Sequence, residues 1–198
     1  MIRIMLGAAV AAVAMLLLGF LFHMTPLAGA GAGNIGTAEA MQVQSSLALN
    51  LRETGTYRVP DPNTAEQTGL YAQGPVATIV YNVEGEAQSN MGAMRYAYAL
   101  FLNFLIALAI GAALAGLERH VTTFGMRARA AALFAFAASG FMHLSRPIWL
   151  HHDWGNALFG FVADGLALSA AGLIVAWFTP RLRERPPAEA PADAPREV

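Results

Sequence analysis

Four apolar stretches, residues 4–22, 96–117, 130–144 and 157–178, constrain the fold of this chain more than any other feature. A helix that crosses a bilayer needs about 20 mostly apolar residues, and its backbone polar groups must be satisfied internally. The first, second and fourth stretches meet that length. The third is shorter, and His143, Ser145, Arg146 and Pro147 interrupt or follow it. Counted from Arg129 to Arg146 at helical rise, it extends about 26 Å, close to the hydrocarbon thickness, with an arginine to snorkel at each end. Pro147 is expected to end that helix. The expected fold is an all-α membrane helix bundle of four transmembrane helices.

Composition agrees with a bilayer as solvent: 56% of the 198 residues are hydrophobic and 13% are charged. A net charge of -1 offers no basic footprint for nucleic acid. The absence of cysteine excludes disulfides, thiolate metal sites, iron–sulfur clusters and thiol nucleophiles. All twelve basic residues are arginine, and their placement sets the expected topology. Arg3 precedes the first stretch, Arg119, Arg127 and Arg129 crowd the turn between the second and third, and Arg181, Arg183 and Arg185 follow the fourth. On the other side Arg52, Arg58, Arg95 and Arg146 are spread over a much longer segment. The positive-inside rule then puts both termini in the cytoplasm and residues 24–95 outside, which in a bacterial inner membrane is the periplasm.

Four regions follow: a first transmembrane helix at 1–23, an extracytoplasmic insert at 24–95, a three-helix membrane domain at 96–179 and a disordered cytoplasmic tail at 180–198, rich in proline and charge. Arg3, an apolar run and Ala28-Gly29-Ala30 also resemble a secretory signal with a small-residue cleavage site, but the run exceeds the usual signal core and favours a retained anchor. Residues 29–36 read as a flexible exit. Gly31, Gly33 and Gly36 match a dinucleotide-binding pattern only in letters, since no strand precedes them. Thr37 is placed to cap a helix running to about Glu53, with Glu39 in its first turn. Residues 56–59 and 76–83 are β-branched and aromatic, and read as two short strands joined by a loop over 60–75. Such a small α+β insert makes a poor core of its own and is expected to lean on the membrane domain or a partner.

His23-Met24 at the end of the first helix, Gly55, Tyr57 and Pro60 as Gly-x-Tyr-x-x-Pro, and Gly74-Pro75 before a strand and three membrane helices form a pattern. It resembles a group of small bacterial four-helix membrane proteins with a periplasmic insert after the first helix. The resemblance spans about residues 4–178 and implies that architecture. No activity is assigned to that group, so it implies nothing about chemistry.

Within the spans, small and polar residues line up at helical steps: Ala99, Asn103, Ala107, Gly111 and Ala115; Ala132, Ala135, Ser139, His143 and Arg146; Asn156, Gly160, Asp164, Ala167 and Ala171; and, less cleanly, Ala8, Ala12, Gly19 and His23. Small residues let helices approach, and polar side chains on the same face bond across the contact. Asn103 lies eight residues past Arg95 and Asp164 eight past Asn156, about 12 Å along each helix. An intramembrane polar cluster of Asn103, His143 and Asp164, with Arg146 above it, is expected. Asp164 either locks the helices, protonated or paired with His143 or Arg146, or it relays protons or binds an ion.

His23, His143, His151 and His152 all fall toward the outer side and could serve a metal ion or haem, though adjacent His151-His152 lacks the i, i+4 spacing of two ligands on one helix face. A turn or helix cap at His152-Asp153 is the simpler account, and no cofactor is expected. No Gly-x-Ser-x-Gly elbow is present, and Ser139 reads as packing, so nothing supports catalysis. The expected role is a non-catalytic accessory, assembly or interaction subunit, partnered by the lipid bilayer and by other membrane proteins or a homo-oligomer. The alternatives are a small transport or proton-coupled protein centred on Asp164, and a haem or metal protein using the outer histidines.

Overall fold

The structure is a computed structural model that describes residues 2–84, 92–117 and 120–179. Four long helices build the bundle: α1 (Ile2–His23), α4 (Gly92–Gly116), α5 (Phe124–Leu150) and α6 (Trp154–Phe178). Three of them, over Ile2–His23, Met94–Gly116 and Trp154–Phe178, are long and apolar enough to cross a membrane. At 27 residues α5 is long enough too, about 40 Å at helical rise, but Arg127, Arg129 and Arg146 lower its apolar content. Thr123 starts α5 by accepting from the Met126 amide (3.2 Å), and Asp153 starts α6 by accepting from Asn156 (2.8 Å), as the His152-Asp153 cap reading expects.

The end of α5 differs from expectation. Pro147 does not stop α5, which continues to Leu150 with Pro147 buried inside its last turns. Proline lacks the amide that would have bonded to the carbonyl four residues back, so one helical bond is missing in these last turns. The helix stops at His151, whose left-handed backbone (φ 54°) cannot continue it.

Packing follows glycine and alanine. Helix α6 is the centre: it lies along α5 and α1 and touches α4, whereas α4 and α5 barely meet. Lipid tails are as apolar as leucine, so close packing and interhelical hydrogen bonds hold such helices together. A Cβ at Gly172 would stand 2.6 Å from Ala131 Cβ, and one at Gly165 2.6 Å from the Phe136 ring. Gly111 makes the same close contact under Ile4 and Val175, and Gly7 under Phe178. Ala8, Ala11, Met15, Ala107, Leu114, Ala171 and Val175 form the core shared by α1, α4 and α6. On α5 the inward row is Arg127, Ala131, Ala135, Ser139 and Pro147, a four-residue spacing that lays an i±4 ridge along α6.

Arg127 corrects a sequence reading. Placed in the turn as a topology signal, it is instead 1% exposed, and its Nη1 donates to Thr179 O (3.0 Å) and Nη2 to Thr122 O (3.1 Å). The cation thus sits at the negative end of α6, where it donates to the carbonyl of the C-cap residue Thr179, and its second donor ties down Thr122 ahead of α5.

The insert contains a short 3-10 helix (Pro26–Ala30), α2 (Thr37–Asn50), β1 (Gly55–Val59), α3 (Thr68–Gln73) and β2 (Ala77–Tyr81). The strands pair antiparallel, Gly55 opposite Tyr81 and Val59 opposite Ala77. The exit expected to be a flexible linker over 29–36 is held at its start: Thr25 caps the 3-10 turn, and Gly31 is buried against Phe159 while its carbonyl accepts from Asn156 Nδ2 (2.6 Å), whereas 33–36 are exposed and irregular. The loop expected over 60–75 contains α3, and Gly36 rather than Thr37 occupies the N-cap of α2, which ends at Asn50. No residue from 32 to 84 is buried. The return segment 85–90, Arg119 and the expected tail beyond residue 179 lie outside the described residues.

Candidate functional site

The one ionisable group in the middle of a clear span, Asp164, projects from α6 one turn beyond Gly160 and two beyond Asn156. That i, i+4 row fixes the local geometry. Gly160 offers no side chain, and the His143 ring of α5 lies in the slot; a Cβ there would meet Nδ1 at 2.5 Å and Cε1 at 2.6 Å. His143 Nε2 then lies 2.7 Å from Asp164 Oδ2. A neutral imidazole donates its Nε2–H to an ionised carboxylate in this arrangement, and a protonated Asp164 would donate to Nε2 instead. One turn away, Ser139 Oγ donates to Phe161 O (2.8 Å), a second polar tie between α5 and α6 in this part of the bundle.

Asp164 is not sealed. Its side chain is 39% exposed, against 14% for His143. The open side faces a cavity of about 300 Å³ between α1, α4 and α6, where His23, Arg95 and Asn103 converge. Two expected residues, His143 and Asp164, are therefore in contact. Asn103 lines the same cavity, with no hydrogen bond to Asp164. Arg146 does not sit above the cluster: it is exposed and makes no ion pair with His143 or Asp164. The reason is the four-residue spacing of the buried row, which runs from His143 to Pro147 and leaves Arg146 on the flank. The arginine at the cavity is Arg95, two turns before Asn103 on α4. Reading the row Ala99–Asn103 one step backward would have found it.

The histidines separate. His23 lines the Asp164 cavity and meets Phe159 edge to face, with ring centroids 5.8 Å apart. His151 and His152 line a different cavity, about 540 Å³ between the insert and the α5–α6 turn, where Tyr71 packs near His151 (6.3 Å). Among the described residues no three His, Asp or Glu side chains gather as a metal ligand set would. No protein-family model matches the chain, and neither curated proteins nor solved structures yield a similar one.

Proposed function

We propose that this chain is a non-catalytic, multi-span subunit of a bacterial inner membrane whose extracytoplasmic insert docks a partner protein. The observation that carries the proposal is an insert with no buried residue from 32 to 84. In water an isolated helix of fourteen residues is marginal, yet α2 has no buried residue and only Leu47 is half-buried. Its residues Ala40, Met41, Leu47 and Ala48 lie within one arc of the helix, on either side of Gln44. A helix made to lie on lipid is rich in Lys and Arg, whereas the only charge on α2 is Glu39. An apolar groove on another protein suits it better.

Helix α5 is the fourth span in this reading. It matches α6 from Ala131 opposite Gly172 to His143 opposite Gly160, so a bilayer deep enough for one holds the other. The arginine distribution then puts both termini in the cytoplasm and residues 24–95 in the periplasm. Burial of Gly7, Ala8, Ala11 and Ala12 in the bundle supports a retained first helix. Reporter fusions within residues 63–67 that read cytoplasmic would overturn this arrangement. For the docking role, Met41→Glu and Leu47→Glu should abolish co-isolation of a stoichiometric partner from mild detergent at unchanged membrane levels, while Ser46→Glu retains it. Equal co-isolation in all three would refute the role.

A second reading, a small transport or proton-coupled protein, is favoured by one observation: the partly exposed side of Asp164 faces a cavity that also holds His23, Arg95 and Asn103. Loss of a deletion-complementing activity in a stable Asp164→Asn variant would support it over docking alone.

A further inference from the structure

We infer that the cavity beside Asp164 is a binding site for a lipophilic organic amine in its protonated form. The inference is independent of partner docking and names a ligand class for the site that the second reading invokes. Three observations carry it. First, the His143 ring holds one oxygen of Asp164 at 2.7 Å, while 39% of that side chain remains exposed and the cavity adjoins it. A neutral imidazole that donates Nε2–H leaves the carboxylate's full negative charge in place, and a low-dielectric surround strengthens its attraction for a cation. Second, much of the lining is apolar, with Met15, Leu16 and Phe20 from α1, while Asn103 adds an amide oxygen able to accept a second N–H. Third, about 300 Å³ is at the lower end of small-molecule pockets, the size of a single-chain amphiphile rather than a large cofactor. Arg95 also stands in the lining, two turns nearer the start of α4 than Asn103.

Gly19 gives a clean test, because it lines the cavity and a Cβ added there meets nothing within 4 Å. Gly19→Leu should therefore extend a branched apolar side chain into the cavity. The protein in zwitterionic-lipid nanodiscs is titrated calorimetrically with octylammonium, which is protonated at neutral pH as a lysine is, and with octanoate and octanol. Saturable octylammonium binding above empty nanodiscs is expected, weakened about tenfold or more by Gly19→Leu and by Asp164→Asn. Octanoate and octanol should bind no better than to empty nanodiscs. Absence of saturable octylammonium binding, equal binding of octanoate, or undiminished affinity in folded Gly19→Leu would each overturn the inference.

Discussion

Replacing Gly160 by alanine tests the seam between α5 and α6 at its tightest polar point. The new Cβ would stand 2.5 Å from His143 Nδ1 and 2.6 Å from Cε1, whereas ordinary contact begins at 3.4 Å, so ring or helix must move by 3.4 minus 2.5, or 0.9 Å. The ring cannot retreat that far and keep its 2.7 Å contact with Asp164. Overpacking costs about 1–3 kcal/mol. Loss of the interhelical contact adds about 0.6–1.7 kcal/mol. The sum, about 2–5 kcal/mol, outweighs the gain of about 1 kcal/mol from replacing glycine in a helix. Gly140→Ala is the control, since its Cβ would meet Phe161 at 3.6 Å, an ordinary contact. Reversible unfolding in mixed detergent measures both. Introduced into Asp164→Leu, which has no contact left to lose, Gly160→Ala should cost less by about 0.5–2 kcal/mol. Equal stability of the two alanine variants, or full additivity with Asp164→Leu, would refute the reasoning.

Other substitutions separate structure from chemistry. Asp164→Asn should unfold close to wild type because an amide can still bond to His143, while Asp164→Leu should lose about 1–2 kcal/mol in the same assay. Ser169 Oγ is buried and finds no hydrogen-bond partner, so Ser169→Ala should raise stability by about 1 kcal/mol; a loss of that size would reveal a bond to the hydroxyl. Arg127→Met should cost about 3 kcal/mol, since Thr179 O and Thr122 O lose charged donors, and protease cleavage near residue 179 should quicken. Unchanged cleavage and stability would mean that the arginine acts only as a topology signal.

The bundle was legible where spacing and residue size act together. Asn156, Gly160 and Asp164 fall on one helical row, and that row does carry the contacts to the Gly31 carbonyl and His143. The α5 row was harder. Steps of three and of four both look helical in sequence, and only the course of α5 along α6 selects Pro147 over Arg146. Arg127 was misread for a related reason: positive-inside counting treats arginine as a solvent-facing charge, and nothing local shows that two open carbonyls await it. Gly31 looked like linker glycine because its contact, Phe159, is distant in sequence. The strand pair was visible from β-branched residues bounded by proline and glycine, whereas α3 was hidden within a loop composition.

Residue-by-residue photo-crosslinking along α2 in native membranes tests the docking role most directly. A helix seated in a protein groove should give protein adducts at Ala40, Met41, Leu47 and Ala48, and none at Gln42 or Ser46 on the opposite face. The adducts should vanish on Leu47→Glu. Adducts spread evenly around the helix, or lipid adducts alone, would contradict a partner-docking insert.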